Sequence, residues 1–534
     1  MTDAHPAHAP YYITTPIYYV NDRPHVGHCY TTLVADAAAR LMRVAGRDVF
    51  FLTGTDEHAE KVVESAAKNG VTPIEWADRN ADEFQRAFEL MAFTNDDFIR
   101  TTQDRHTRVV QALIAKLQES GDVYLGDYVG WYDPSQEEYL TETVAKEHDY
   151  KSPVTGRDLE KRTEQNYFFR LSAYADRLRA HIEAHPLFIQ PEARRNEVLG
   201  RLGQGLADVP ISRAVKEGDT PWGIFMPGDE SHRVYVWIDA LINYWSAIQT
   251  DERTKYWPAQ VHVLAKDILW FHAVIWPCML MALGQPLPHI VYAHSFWIRE
   301  GRKMSKSLGN FIDLPTMQAY IDRYSLDALR WYLLTQGPLG TTDADFVHAK
   351  FIDVYNADLA NGIGNAASRV ANMIAKYFDG AVPEVTPERA LAQGHGRDWP
   401  SLTKNAVTDA IERMERFDVA GALRAGLELS NEVDRYIHET APFKLAKDPA
   451  NLPDVAAILI NCAEALVVAA NLLWPAMPAS MTTLLSRFGC PAPDQLDGRD
   501  ALCAWGAVKA GTPIEKGEAL FPRADGDEAP PDGG

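Results

Sequence analysis

The stretch from Tyr11 to Gly70 constrains the fold more than any other. Tyr11–Tyr19 is rich in Tyr, Ile and Thr, as a buried strand requires. Pro24 precedes a helix starting near Val26, in which Val34, Ala37, Ala38, Leu41 and Ala45 recur on one face until Gly46 stops it. Asp48–Thr53 reads as a second strand, and Glu57–Lys68 as a second helix ended by Gly70. Strand, helix, strand, helix in this order opens a doubly wound parallel, Rossmann-like sheet, so the fold class is α/β.

Farther along, the pattern changes twice. Between residues 121 and 232, segments such as Trp131–Ser135 and Lys151–Gly156 read as short strands and turns, and Tyr167–Ala184 as a helix. This is a connective domain inserted into the sheet. Val234–Ile238 and Val261–Ala265 return as strands and complete the sheet. From residue 351 the chain is Ala- and Leu-rich with helical periodicity. The expected division is a disordered tail over 1–10, the first half of the sheet domain over 11–120, the insertion over 121–232, and the second half over 233–299. A loop and linking segment over 300–350, an α-helical bundle over 351–515 and an acidic, Pro/Gly-rich tail over 516–534 complete it.

Composition removes several alternatives. A chain of 534 residues is too long for one core. Its 46% hydrophobic and 23% charged residues are ordinary for a globular protein. Cys29, Cys278, Cys462, Cys490 and Cys503 form no close pairs, which reads as reduced thiols in a cytoplasmic protein rather than a disulfide framework. The first ten residues lack the basic flank and apolar run of a signal peptide, and no uninterrupted apolar stretch of membrane-spanning length is evident. The net charge of -21 argues naively against nucleic-acid binding, but global charge is a poor guide for a large protein that touches RNA on one face.

Two short strings carry chemistry. His25 and His28 in His-Val-Gly-His are three residues apart at a helix start, so both rings share one side of the first turn. Gly27 leaves room for a flat base, and the helix N-terminus favours a triphosphate. An isolated string of this kind is most often two surface histidines; a preceding strand and a following helix shift the balance. In Lys303-Met-Ser-Lys-Ser307, Lys303 and Lys306 stand in a glycine-flanked loop that can close on pyrophosphate as its charge develops. Alone, this would read as a solvated basic loop.

In this order the two strings resemble the signatures of class I aminoacyl-tRNA synthetases. Tyr11–Asn21, Thr53-Gly-Thr-Asp-Glu-His58, Val236-Trp-Ile-Asp-Ala240, Ala265–His272 and Trp276-Pro277 narrow the resemblance to the methionyl-tRNA synthetase family. The resemblance implies an ATP-dependent ligase that converts L-methionine to methionyl-adenylate and transfers it to the 3' end of initiator and elongator tRNA(Met). ATP with Mg2+ would be held by His25, Gly27, His28, Asp267, Lys303 and Lys306, with the two histidines and two lysines catalytic. Ile17, Tyr19, Trp237, Leu241, Tyr244, Ile268, His272 and Trp276 would surround the methionine side chain, and Asp56 would hold its ammonium group. Tyr19 and His272 would offer polar contacts to sulfur. An apolar slot with aromatic walls suits a thioether. Asn365 and Arg369, four apart on one helix face, would read the anticodon, with Phe443 standing where the family usually has Trp.

Other implications concern what is missing. The space between the two strings leaves no room for the large editing domain of the isoleucine, valine and leucine enzymes. No cysteine lies between Gly121 and His232, and His148, His181 and His185 lack ligand spacing, so no metal and no structural zinc are expected. No appended dimerising domain follows the bundle, so a monomer without membrane contact is expected. Two rivals remain: a synthetase for another amino acid, and a protein that binds tRNA or nucleotide without charging it.

Overall fold

The computed structural model describes residues 9–21, 23–136, 138–140, 142–216, 218–299, 301–304, 310–514, 517–526 and 531. Its centre is a six-stranded sheet in the order 97–100, 48–56, 10–19, 261–265, 290–294, 189–190, with every neighbouring pair parallel. The order reverses direction between Pro10–Tyr19 and Val261–Ala265, so the crevice of this doubly wound α/β sheet opens at their carboxyl ends. The strand period is visible in the packing. Tyr11 and Ile13 enter the core on one face, and Tyr12 enters the core on the other. The first strand begins at Pro10, with Ala9 accepting the Asp48 N–H, so order reaches two residues farther than the expected tail allows.

The helix Val26–Val44 is buried almost all round, not on one face alone. It lies between the sheet and the helical region, so even Asp36 and Arg40 are enclosed. Two segments depart from their sequence patterns. Val236–Ser246 is a helix, so Val236, Trp237 and Ile238 are its first turn and not a strand; a short apolar run buried on all sides suits either state. Tyr167–Phe169 ends a strand, Glu160–Phe169, which pairs with Val123–Asp133, and the helix there begins only at Ala175. Aromatic side chains with a partner strand override the helical pattern.

The region after residue 121 forms two small antiparallel sheets and several helices. It is not sealed off, because Ile189–Gln190 is the edge strand of the main sheet, paired with Val291 and Tyr292. From His348 onward the described elements are helical. Their central member, Leu452–Leu473, is long and apolar enough by composition to cross a membrane, a run the sequence reading overlooked. It is packed against the helices 364–377, 399–415, 419–440 and 478–487, and that burial accounts for its hydropathy. Near the end of the chain, Phe521 is buried and the Asn356 amide pairs with both backbone groups of Ala524 at 3.0 Å. Phe521 and Ala524 are therefore packed against the helical region, within the stretch where a disordered tail is expected from the sequence.

Candidate active site

A cavity of about 510 Å³ lies at the switch point of the sheet. The first strand reaches it through a bulge: between the pairs Thr14–Leu52 and Ile17–Gly54, Thr15 and Pro16 face the single residue Thr53. Gly54 permits the close approach of the next strand, since a Cβ there would stand 1.9 Å from the Ile99 carbonyl oxygen. Beyond the bulge Tyr19 is in register with Asp56, so an aromatic ring and a buried carboxylate stand side by side at the strand ends.

His25 caps the helix Val26–Val44, and its ring centroid is 4.0 Å from that of His28. His25 Nδ1 accepts the Gly27 N–H at 3.0 Å, and His28 Nδ1 accepts the His25 N–H at 3.3 Å. A neutral ring whose Nδ1 accepts carries its proton on Nε2, so both imidazoles keep an N–H donor. Burial, with His25 adding to it, holds the His28 pKa well below the ordinary value. A side chain at Gly27 would meet the His25 ring at 2.9 Å, so glycine is needed for the ring pair itself.

The second string is tied to the first. Trp297–Arg299 and Arg302–Lys303 form a hairpin, and downstream the Phe311 ring lies 4.8 Å from His25 while the Ile312 carbonyl accepts the Val26 N–H. Lys303 is exposed at the cavity rim, its Nζ 5.5 Å from the Phe296 ring and attracted to Asp267. Lys306 lies outside the described residues.

Ile17, Tyr19, Asp56, Trp237, Leu241, Tyr244, Ile268 and His272 all line this cavity, as do His25, Gly27, His28 and Asp267. Trp237 stacks on Phe271 at 4.2 Å and meets Tyr19 edge-on at 5.7 Å. Trp276 does not line the cavity; it is fully buried behind Tyr244, 6.2 Å away. Both nitrogens of His272 are engaged, Nδ1 with the Ile268 carbonyl at 2.9 Å and Nε2 with the Tyr244 hydroxyl at 2.7 Å. In this arrangement the ring offers no free N–H to sulfur, unlike the sequence expectation. Burial lowers its pKa to about 4 against the opposing Ile268 carbonyl.

Sequence reasoning missed four participants. Thr31 and His294 are joined across the cavity wall at 2.8 Å, and Phe271 backs Trp237. Asp239 accepts from His58 and His106, each at 2.7 Å, and so anchors the helix that carries Trp237, Leu241 and Tyr244. Burial opposes its ionisation, but His58 and His106 outweigh this and lower its pKa to about 2. Only the Asp four residues after Tyr235, inside an apolar run, hinted at such an anchor.

Elsewhere, Asn365 is exposed at the start of the helix Gly364–Tyr377, and Arg369 is bonded to Asp434 at 3.0 Å. Phe443 is 44% exposed, unusual for a large apolar ring. Among the described residues no group of three or more His, Cys, Asp or Glu side chains is arranged to hold a metal ion.

A switch-point cavity flanked by a histidine-capped helix on one side and a lysine hairpin on the other defines a class I aminoacyl-tRNA synthetase. The family described as tRNA synthetases class I (M) matches residues 11–148 and 145–371. The chain is 42% identical over 520 residues to a methionine–tRNA ligase of Caldanaerobacter subterraneus, covering 96% of this chain and 79% of that protein. It is 41% identical to that of Rhizobium meliloti, covering 98% of this chain and 99% of the relative. The crystal structure of Mycobacterium tuberculosis methionyl-tRNA synthetase bound by methionyl-adenylate superposes with a TM-score of 0.85 at 35% identity, over 96% of this chain and 100% of that one. The chain belongs to the methionyl-tRNA synthetase family.

Proposed function

We propose a division of labour among these residues for the family's reaction, activation of methionine by ATP followed by charging of tRNA. Tyr19, Trp237, Leu241, Tyr244 and Ile268 form the slot for the thioether, with Ile17 and His272 closing it and Trp276 supporting Tyr244 from behind. Asp56 holds the ammonium group by a charge-assisted hydrogen bond. The methionine carboxylate, already a nucleophile, attacks the α-phosphate, so no general base is needed. His25 and His28 donate from Nε2 to phosphate oxygens, Asp267 accepts from the ribose, and Lys303 and Lys306 meet the charge that grows on pyrophosphate. Gly27 leaves the base room beside the helix start. Magnesium would arrive with ATP as part of the substrate, and among the described residues no cluster of metal-ligating side chains competes for it.

In the second step a ribose hydroxyl of the terminal adenosine of tRNA(Met), initiator or elongator, attacks the activated carbonyl; the ester forms, the anhydride bond to phosphate breaks and AMP leaves with the proton lost to solvent. Asn365 and Arg369 read the anticodon, and the exposed Phe443 ring stacks on a base. The working unit is a monomer, since one chain holds every group named, and the scattered unpaired cysteines suit the cytoplasm. In this division the sheet supplies activation and the helical region after residue 351 supplies recognition.

The observation that carries this reading is the meeting, in one cavity, of an aromatic slot, a buried carboxylate and a pair of imidazole donors. The test is exchange of labelled pyrophosphate into ATP without tRNA. Exchange should depend on methionine; better support by leucine or cysteine would show the slot to be assigned to the wrong side chain.

A further inference from the structure

Arg330, Asp327 and Asp36 are buried charges that neither half-reaction uses. Arg330 lies on the helix Leu326–Gln336 and is 0% exposed. Its guanidinium joins four segments of chain. Nε donates to the Ala476 carbonyl at 2.9 Å, Nη1 to the Met91 carbonyl at 2.9 Å, and Nη2 to the Pro475 carbonyl at 2.9 Å and to Asp36 Oδ2 at 2.6 Å. Pro475 and Ala476 follow the carboxyl end of Leu452–Leu473, where a cation is favoured. Asp36 is at the middle of the helix that starts beside His25 and His28, and its Oδ1 accepts the Thr94 N–H and hydroxyl at 2.8 and 2.7 Å. One turn before Arg330, Asp327 accepts the Ser480 N–H at the start of the helix Pro478–Arg487. One helix therefore grips both ends of the turn between two bundle helices, a cation on the carbonyls and a carboxylate on the N–H.

Arg40, itself buried, also bonds Asp36 Oδ2, at 2.9 Å, and Leu329, Trp331 and Leu333 on the same helix as Arg330 are fully buried. Burying charges among them costs free energy that apolar side chains would not. Apolar contacts, however, let helices slide, whereas several hydrogen bonds from one planar group fix angle and register together. We propose that Arg330 and Asp327 are positioning residues that set the span between the adenylation site and the helix bearing Asn365 and Arg369. The proposal rests on the anticodon role given to that helix above. A tRNA held at two ends gains from the second contact only while the spacing of the two sites matches its own.

The experiment uses the full chain with Arg330→Met, which keeps an unbranched stem and removes the fork. Methionine-dependent pyrophosphate exchange should be little changed. Charging kcat/KM for cognate tRNA should fall on the order of 10-fold to 100-fold, chiefly through KM, and discrimination against an anticodon-swapped tRNA should shrink. Arg330→Lys should recover part of the loss. Should Arg330→Met not fold, Asp327→Ala leaves the guanidinium contacts in place and reads the same quantities. A parallel fall of exchange and charging, with discrimination intact, would show that the latch only holds the catalytic fold and would overturn the proposal. Unchanged charging would overturn it too, and Arg369→Ala run alongside tells which claim failed. If Arg369→Ala impairs charging while Arg330→Met does not, the span is set elsewhere. If neither impairs it, the anticodon reading falls and this proposal falls with it.

Discussion

The two halves of the molecule bury different things. The sheet half encloses His106, His262, His272, His294, Asp56 and Asp239, all within 3% of complete burial. The helical half is filled mainly by Ala, Leu, Ile and Val, and along Leu452–Leu473 the buried polar residues are Asn461, Glu464 and Asn471. Chemistry on a charged triphosphate needs donors and carboxylates held away from water, where their fields are strong. Recognition of anticodon bases needs polar groups that face water until RNA arrives, as Asn365 does. In the proposed reading one half spends stability on a site, and the other presents polar groups to solvent.

The largest effect that could break this comparison lies at the lysine loop. Lys303→Ala and Lys306→Ala should each slow adenylate formation on the order of 10²–10³-fold while methionine affinity, measured by equilibrium titration, stays near the parent value. An equal loss of ground-state affinity would remove the transition-state role.

Acid should separate the halves. His272 and His294 have pKa values lowered by burial to about 4 from 6.5. Between those values the unfolded chain binds more protons than the folded one, so stability falls as pH falls, by up to about 3 kcal/mol per histidine. In the helical half, burial raises the pKa of Asp358, Asp434 and Glu464, against Trp331, Arg369 and backbone N–H donors respectively. Their protonation comes earlier in the folded state and favours it as pH falls. Hydrogen exchange followed from pH 7 to pH 5 should show the strands 10–19 and 261–265 losing protection before the helix 452–473. Simultaneous loss would mean the halves unfold as one unit.

Smaller in size, Arg369→Ala should weaken charging by about 1–3 kcal/mol, a range borrowed from base readout in DNA, and leave pyrophosphate exchange alone. The loss should be greater for cognate tRNA than for an anticodon-swapped one. A matching loss of exchange would mean that the bond to Asp434 holds the bundle together and that Arg369 is structural. Smallest of all, Phe443→Trp should strengthen cognate tRNA binding by less than about 1 kcal/mol, because a larger ring adds stacking area at an already exposed position. Binding measured at fixed salt would detect it; a weaker complex would show that the ring does not stack.

How much of this was legible in the chain follows the same divide. The strand–helix opening was readable from local pattern, whereas the histidine pair and the glycine-flanked lysines, weak strings alone, stood out through their order and their place beside a strand and a helix. The first turn at Val236 was misread because a run buried on every side has no period to betray its state. Asn365, Arg369 and Phe443 carried no local signal of their own, since an exposed polar helix face looks the same whether or not RNA uses it; resemblance alone singled them out.

By itself the sequence determined the α/β class and singled out the histidine and lysine strings, because these depend on near-neighbour spacing and on residue types. Tertiary structure decided what depends on partners distant in the chain. It put Trp276 behind the cavity wall, occupied both nitrogens of His272, gave Asp239 two imidazoles and joined Asp36 to Arg330. A side chain's hydrogen bonds are fixed by whichever groups folding brings within about 3 Å, and no local pattern encodes that distance.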